Sequence, residues 1–438
     1  MTTRSDGQMG LVMTTALVIG SIIGVGIFML PVALAPLGIS AVAGWLVSGC
    51  GAICLGLPLA RLARRGAGIQ SAIGETFGPT VGFMVTWSFW VSSWSGVAAI
   101  AVGAASTISR VVPSLSNPMS VALLAAALII GMAPVNARGA RSSGVMAIVT
   151  VVLRILPLLA VVILAGGKAA AHEPLQSLWT QPLTISAVAT AAALTLWPLT
   201  GFENVTAPVG KIRDAERIIP RALLIGVSAV ALLYLISSTS VLFLLPADQL
   251  VHSPAPFADA VGAWWGEIAA NLVVLGIAIS AFGCIGCTMM AAGELCYSMS
   301  SRGDLPKALA WTNRSGAPVL SQLVSAGFAI ILVLSNTSRS TAGLFTFIIL
   351  LSTVAVLVLY VVAGLASAVR DRAIGTSLMV VAGVLFSAYA LYGAGIEAGL
   401  WGLGLAASAL PVRAIARWLN GSSPAAAASP AVLPESSS

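Results

Sequence analysis

Stretches of about 20 residues without a charged side chain recur from one end of this chain to the other, and each is long enough to cross a hydrocarbon layer of about 30 Å as a helix. Inside lipid a backbone must satisfy its own polar groups, so such runs fold as helices or not at all. Only 8% of the 438 residues are charged and 58% are hydrophobic, against roughly 25% charged in a soluble domain. The short alternating segments of a membrane barrel are absent. The chain therefore reads as an all-α polytopic membrane protein.

Twelve spans are expected, near 11–35, 39–61, 80–109, 119–137, 144–166, 184–209, 220–245, 267–300, 317–335, 342–369, 373–393 and 396–418. The first follows a short polar start without a small-residue cleavage site, so it reads as a retained span. Residues 1–10 form a tail, 11–420 the membrane domain, and the Ala/Pro/Ser-rich 421–438 a tail expected to be disordered. The segment "LPADQLVHSPAPFADAVGAWWGE" leaves room for a short surface helix near Phe257–Trp265.

Basic residues orient the spans. With both termini in the cytoplasm, Arg110, Lys168 and Arg339 fall outside, Arg154 falls within a span, and the remainder of the 21 lie inside. The net charge of +7 is then a topology signal and does not point to nucleic acid. The surroundings are a lipid bilayer, and the location is the cell membrane. Cys50, Cys54, Cys284, Cys287 and Cys296 all lie in spans, His172 and His252 in outside loops. "GCIGC" has no second pair or histidine cluster beside it, so its thiols read as small helix-contact residues, with no metal and no cofactor. No nucleophile–base pair or close acid pair is present in the spans, which argues against an enzyme. A transporter-like sensor would need a signalling domain, and no added domain is visible.

Two spans are interrupted alike. The first holds "VIGSIIGVGIFMLP", with Gly20, Gly24, Gly26 and Pro31; the sixth holds "LTLWPLTGFENVTAP", with Pro198, Gly201 and Glu203. Freed backbone groups in mid-membrane are tolerated where they line a cavity or meet a ligand. Glycine-lined packing faces would give a similar pattern in one span. Two interruptions five spans apart fit a pair of five-helix repeats in inverted orientation, the arrangement that marks a transporter's binding site.

At these residues the sequence resembles the amino acid–polyamine–organocation superfamily. "GSIIGVGIF" is similar to the Gly-rich break of its first helix, "LWPLTGFENVTAPVGKIRDAERIIPRALLIG" to its sixth helix and the loop beyond, and "SRGDLPKALAWTNRSGAPV" to the loop after its eighth. The resemblance spans most of residues 10–420, with bacterial arginine/agmatine antiporters and amino acid exporters nearest. It implies twelve helices, the first ten forming a 5+5 inverted repeat with helices 1 and 6 broken. Dimers occur among the resembling antiporters, so a homodimer is one implied assembly.

An amino acid or amine would bind at the breaks. N–H groups at Ile23, Gly24, Val25, Gly26 and Ile27 can receive a carboxylate, aided by the positive end of the second half-helix. Carbonyls near Ile19–Ser21 and Trp197–Leu199 can receive an ammonium. By resemblance, Trp197 matches an aromatic gate, Phe89, Ser92 and Ser93 match pocket positions on the third helix, Thr200 lies in the sixth-helix break, and Ser352 and Thr353 lie on the tenth helix. Thr288 stands where the arginine/agmatine antiporters place a tryptophan that stacks on the guanidinium. That change makes a smaller neutral or short amine substrate as good a fit as arginine.

Glu203 and Glu294 are the acids deep in spans, and an ionisable residue there is functional by default. Glu203 can hold unwound backbone or change protonation as the gate moves. Glu294 lies nearer the cytoplasmic end and can pair with a basic residue there. Arg154 sits in the apolar run "VTVVLRILPLLAVVIL". A charge at mid-helix costs about 2.5–3.5 kcal/mol even on the lenient insertion scale. Relatives carry a lysine in a similar run, and sodium-coupled relatives place a sodium ion in that region, between helices 1 and 8. Arg154 is thus expected to meet carbonyls near Ile19–Ile22 and polar groups of span eight. Arginine is a poor proton carrier, because its pKa stays above about 12. The expected function is a sodium-independent exchanger of amino acids or related amines; the alternative is a proton-coupled permease or an exporter of neutral amino acids.

Overall fold

A computed structural model describes residues 9–63, 69–138, 140–179, 181–206, 212–371 and 373–421. The two tails lie almost wholly outside them. Among the described residues the chain is helical, and the one β-type contact is a single bridge between Met9 and Ile212. The helices are α1 (Leu11–Ile22), α2 (Leu30–Leu34), α3 (Ile39–Ala63), α4 (Ile69–Phe77), α5 (Pro79–Ser109), α6 (Pro118–Ala137), α7 (Ala140–Ala170), α8 (Ile185–Leu196), α9 (Ala215–Leu244), α10 (Ala247–Leu250), α11 (Pro256–Ser301), α12 (Val319–Leu334), α13 (Thr341–Arg370), α14 (Ile374–Ala407) and α15 (Ala409–Leu419).

Nine of the described helical stretches are long and apolar enough to cross a membrane, and α1 and α12 are shorter apolar helices. The stretch 374–419 makes two crossings, because Gly395 turns it at φ 81°, ψ 167°. The expected twelve crossings result. The first and last described residues, Met9 and Gly421, therefore lie at one face, called proximal below, and the other face is distal. Local chemistry sets several helix starts. The Asn117 side-chain Oδ1 accepts from the Ser120 N–H at 2.8 Å, the Thr184 hydroxyl caps α8 by accepting from the Ala187 N–H, and the Ser340 hydroxyl caps α13 by accepting from the Gly343 N–H. Each cap satisfies a donor that the helix itself cannot, for about 1 kcal/mol.

The packing repeats with an offset of five crossings. The first crossing (α1) lies on the seventh (α9), as the sixth (α8) lies on the second (α3). The fifth (α7) packs on the eighth (α11), as the tenth (α13) packs on the third (α5). Exchanging each crossing for its counterpart five further on leaves this set of neighbours unchanged, as a 5+5 inverted repeat requires. The broken crossings, 1 and 6, are counterparts in that exchange and meet at the centre.

The distal face carries a lid. Gly266, at φ 83°, divides α11 into an outer helix of residues 256–265 and a crossing of 267–301. Phe257 of the outer helix is wholly buried and meets Phe28 edge to face at 5.1 Å. Arg110, just past α5, donates to Asp259 at 2.6 Å and to both oxygens of Glu267 at 3.1 and 3.2 Å. Burial works against its charge, but the hydrogen bonds to Glu267 and Asp259 outweigh that and hold its pKa above the ordinary value. On the proximal face Asp304 accepts from Arg413 at 2.7 Å and Arg417 at 3.1 Å, fixing the loop after the eighth crossing to the twelfth.

Candidate functional site

Helix α1 runs through Gly20 and stops just before Gly24. Ile23 leaves the helix at φ −64°, ψ 96°, and a 3-10 turn at Gly26–Phe28 leads into the five-residue α2, with Pro31 in its first turn. The second half-helix is thus shorter than the sequence suggests. Gly26 is obligatory: a Cβ there would stand 2.1 Å from the ring of Trp197. The break in the first crossing is filled by the Trp197 ring of the sixth.

The freed backbone of the break has assignable partners. The Ile23 N–H still reaches the Ile19 carbonyl at 2.9 Å. Arg154, 4% exposed, donates from Nη1 to the Ile23 carbonyl and from Nε to the Ser280 hydroxyl, both at 2.7 Å. This ties α7, α1 and α11 together, one residue beyond the Ile19–Ile22 stretch expected for the contact. The Tyr234 hydroxyl of α9 accepts from the Gly24 N–H at 3.2 Å and donates to the Ile22 carbonyl at 3.4 Å. Between Ile22 and Leu30, Gly24 is the one residue that is not fully buried.

The sixth crossing breaks in the same way. After α8 a 3-10 turn spans Trp197–Leu199, Thr200 is extended, and Gly201 takes φ 109° before a second 3-10 turn at Phe202–Thr206. A Cβ at Gly201 would stand 2.5 Å from the Ser21 carbonyl oxygen, so the two breaks touch through backbone. Glu203 is buried; its Oε2 accepts from the Gly201 N–H at 3.0 Å and the Tyr360 hydroxyl at 2.9 Å. The Trp197 carbonyl, expected to be open to an ammonium, instead accepts from both the N–H and the hydroxyl of Thr200, at 3.1 and 2.7 Å. A carbonyl oxygen has two lone pairs, and both are used.

Trp197 is itself held. Its Nε1 donates to the Ser352 hydroxyl at 3.1 Å, Ser352 donates to the Ser92 carbonyl at 2.9 Å, and its ring meets Phe345 edge to face at 6.2 Å. The Ser92 and Ser352 hydroxyls lie 3.0 Å apart. Thr353, one residue on, is buried and donates to the Ile349 carbonyl within its own helix. Phe89, Ser93, Thr200 and Thr288 are half-buried. Ser93 donates to the Phe89 carbonyl one turn back, and the Thr288 methyl lies 3.8 Å from where a Cβ on Gly96 would stand. Cys284 is the other side chain beside Gly24.

The structure therefore gathers Ile23, Gly24, Val25, Gly26, Ile27, Trp197, Thr200, Ser92, Ser352 and Arg154 around the two breaks. Glu203 braces the sixth-crossing break against α13. Glu294 stands apart: it is exposed and, among the described residues, forms no ion pair with the basic residues expected to meet it. Among the described residues no group of three or more His, Cys, Asp or Glu side chains is placed to hold a metal ion. Tyr234 and Tyr360 went unnoticed in the sequence. Each is a lone tyrosine in an aliphatic run, and the available signal was that a buried phenol needs a hydrogen-bond partner.

The arrangement offers backbone N–H groups and carbonyls, small hydroxyls and an aromatic cover, and the buried acid beside it, Glu203, is engaged by the Gly201 N–H and the Tyr360 hydroxyl. The amino acid permease family model matches residues 9–422. The putrescine transporter PotE of Haemophilus influenzae is 26% identical over 415 residues, covering 92% of this chain and 95% of that protein. Its Escherichia coli K12 counterpart is 25% identical over 92% and 94% of the two chains. The cadaverine/lysine antiporter of E. coli K12 is 27% identical over 345 residues, 77% of each. With a match that runs through both breaks and nearly the whole membrane domain, this chain belongs to the amino acid permease family.

Proposed function

We propose that the protein exchanges amines or amino acids across the cell membrane without sodium, with both termini in the cytoplasm. The substrate binds where the breaks of the first and sixth crossings meet, under Trp197. The relatives are transporters of putrescine and of cadaverine and lysine, which supports a short amine or its parent amino acid as cargo. Thr288, a small side chain facing Gly96, leaves arginine without a stacking partner on the eighth crossing and supports the same class.

The observation that carries the sodium-independent reading is Arg154. Its guanidinium bonds the Ile23 carbonyl and the Ser280 hydroxyl, oxygen ligands of the kind a sodium ion between these helices would use. A permanent cation leaves no role for a second one at that place. It also carries no proton through the cycle, because arginine keeps its charge. The alternative, proton coupling, is favoured by Glu203, a buried carboxylate on the backbone of a moving break. A Glu203→Gln variant that transports equally well across a pH series, where the wild type does not, would identify that route.

The test is counterflow in proteoliposomes loaded with unlabelled putrescine, cadaverine, lysine, agmatine or arginine. Uptake of the labelled counterpart is expected to overshoot with at least one short diamine or its parent amino acid. Overshoot with none of them overturns the proposal.

A further inference from the structure

Gly24 is the one residue between Ile22 and Leu30 that is not fully buried, and its N–H is already occupied. Tyr234 is wholly buried, packs edge-on against Trp45 at 5.8 Å, and places its hydroxyl on both sides of the break at once. It accepts from the Gly24 N–H and donates to the Ile22 carbonyl. A hydroxyl can do both, and it thereby offers this N–H the acceptor that a substrate carboxylate would otherwise supply.

Which substrates would such a site prefer? A transporter that must hold an α-carboxylate gains by leaving N–H groups unpaired until the substrate arrives. For a substrate with no carboxylate, the same N–H would stay unpaired in an apolar interior at all times, and an unmet buried donor is costly. A built-in hydroxyl removes that cost and makes a carboxylate compete for the N–H it displaces. The charged side chain next to this break, Arg154, is already engaged by the Ile23 carbonyl and the Ser280 hydroxyl, and the side chain beside Gly24 itself, Cys284, is neutral.

We infer that Tyr234 sets substrate class: by capping the Gly24 N–H it disfavours α-carboxylates and tilts the site toward decarboxylated amines. This rests on the proposed amine-exchange function and names its substrate class. Tyr234 is a specificity residue that acts through the backbone it caps.

The test uses matched pairs that differ by one carboxylate, lysine with cadaverine and ornithine with putrescine, in counterflow by the full-length protein. Wild type is expected to show a lower KM for the diamine of each pair. Tyr234→Phe frees the Gly24 N–H, so the KM ratio of amino acid to diamine is expected to fall about tenfold, the worth of a hydrogen bond to a charged group. A purely structural tyrosine would slow both members of a pair equally. An unchanged ratio, with either compound still exchanged, overturns the inference and leaves the amine-exchange function standing. A wild type that exchanges neither member of either pair overturns both. Should Tyr234→Phe fail to fold, 3-fluorotyrosine at position 234 keeps the hydroxyl and carries a 19F reporter. Its resonance is expected to move with saturating lysine and to stay with cadaverine, and an identical response to both overturns the inference.

Discussion

Single residues at the breaks carry the sharpest consequences. Gly26 lies under the Trp197 ring, so Gly26→Ala must push that ring aside. Overpacking of this kind costs about 1–3 kcal/mol, and transport is expected to fall by well over tenfold while the protein still purifies as a folded species. Counterflow together with size-exclusion behaviour checks this, and a fully active Gly26→Ala would deny the contact. Gly201→Ala is expected to be worse, because a positive φ and a 2.5 Å clash with the Ser21 carbonyl oppose the same Cβ. Arg154→Lys replaces a fixed charge with one that can lose its proton, and transport is expected to gain a pH dependence that the wild type lacks. The glycines and Arg154 were legible in the sequence, since charge and helix-breaking are properties of a residue alone. Tyr234 was not, because its importance lies in reaching Gly24 across 210 positions of chain.

At the level of elements, the two breaks are held differently. The first is splinted by side chains of three other crossings, Arg154, Ser280 and Tyr234. The second is braced by one carboxylate, Glu203, which joins Gly201 to Tyr360. Tyr360→Phe removes one of its bonds and is expected to cost about 1.5–3 kcal/mol, read as an earlier thermal unfolding midpoint in detergent; an unchanged midpoint would show that the brace contributes little. The lid at 256–265 hangs on Arg110. Arg110→Ala leaves Asp259 and Glu267 without their guanidinium and is expected to loosen the distal face, so that a cysteine at position 257 reacts with a thiol reagent much faster than in an otherwise wild-type background. Equal rates would mean that Arg110 does not hold the lid. The short helix was expected from the sequence near Phe257–Trp265, but its seat was not, because Phe28 and Arg110 are remote in the chain.

Across the whole molecule, twelve crossings were readable because hydropathy is a local property and uncharged apolar runs of this length cross lipid as helices. The fivefold offset was readable because both breaks carry glycine and proline. What each crossing touches was not, and the packing that exchanges crossings 1–5 with 6–10 appears only in three dimensions. The basic-residue asymmetry gives a testable orientation. A cysteine at Ser114, exposed on the distal face, is expected to label in intact cells with a membrane-impermeant reagent, and one at Ser315, exposed on the proximal face, only after permeabilisation. The reverse pattern would invert the topology.

In the proposed function, Arg154 stands where a sodium ion would otherwise couple transport to an ion gradient. The most direct measurement of this is the initial rate of amine counterflow in proteoliposomes with sodium replaced throughout by potassium or choline. The same rate is expected in all three salts for the wild type, and loss of exchange in Arg154→Ala that still folds. A wild-type rate that vanishes without sodium, and returns in proportion to the sodium added, would contradict it.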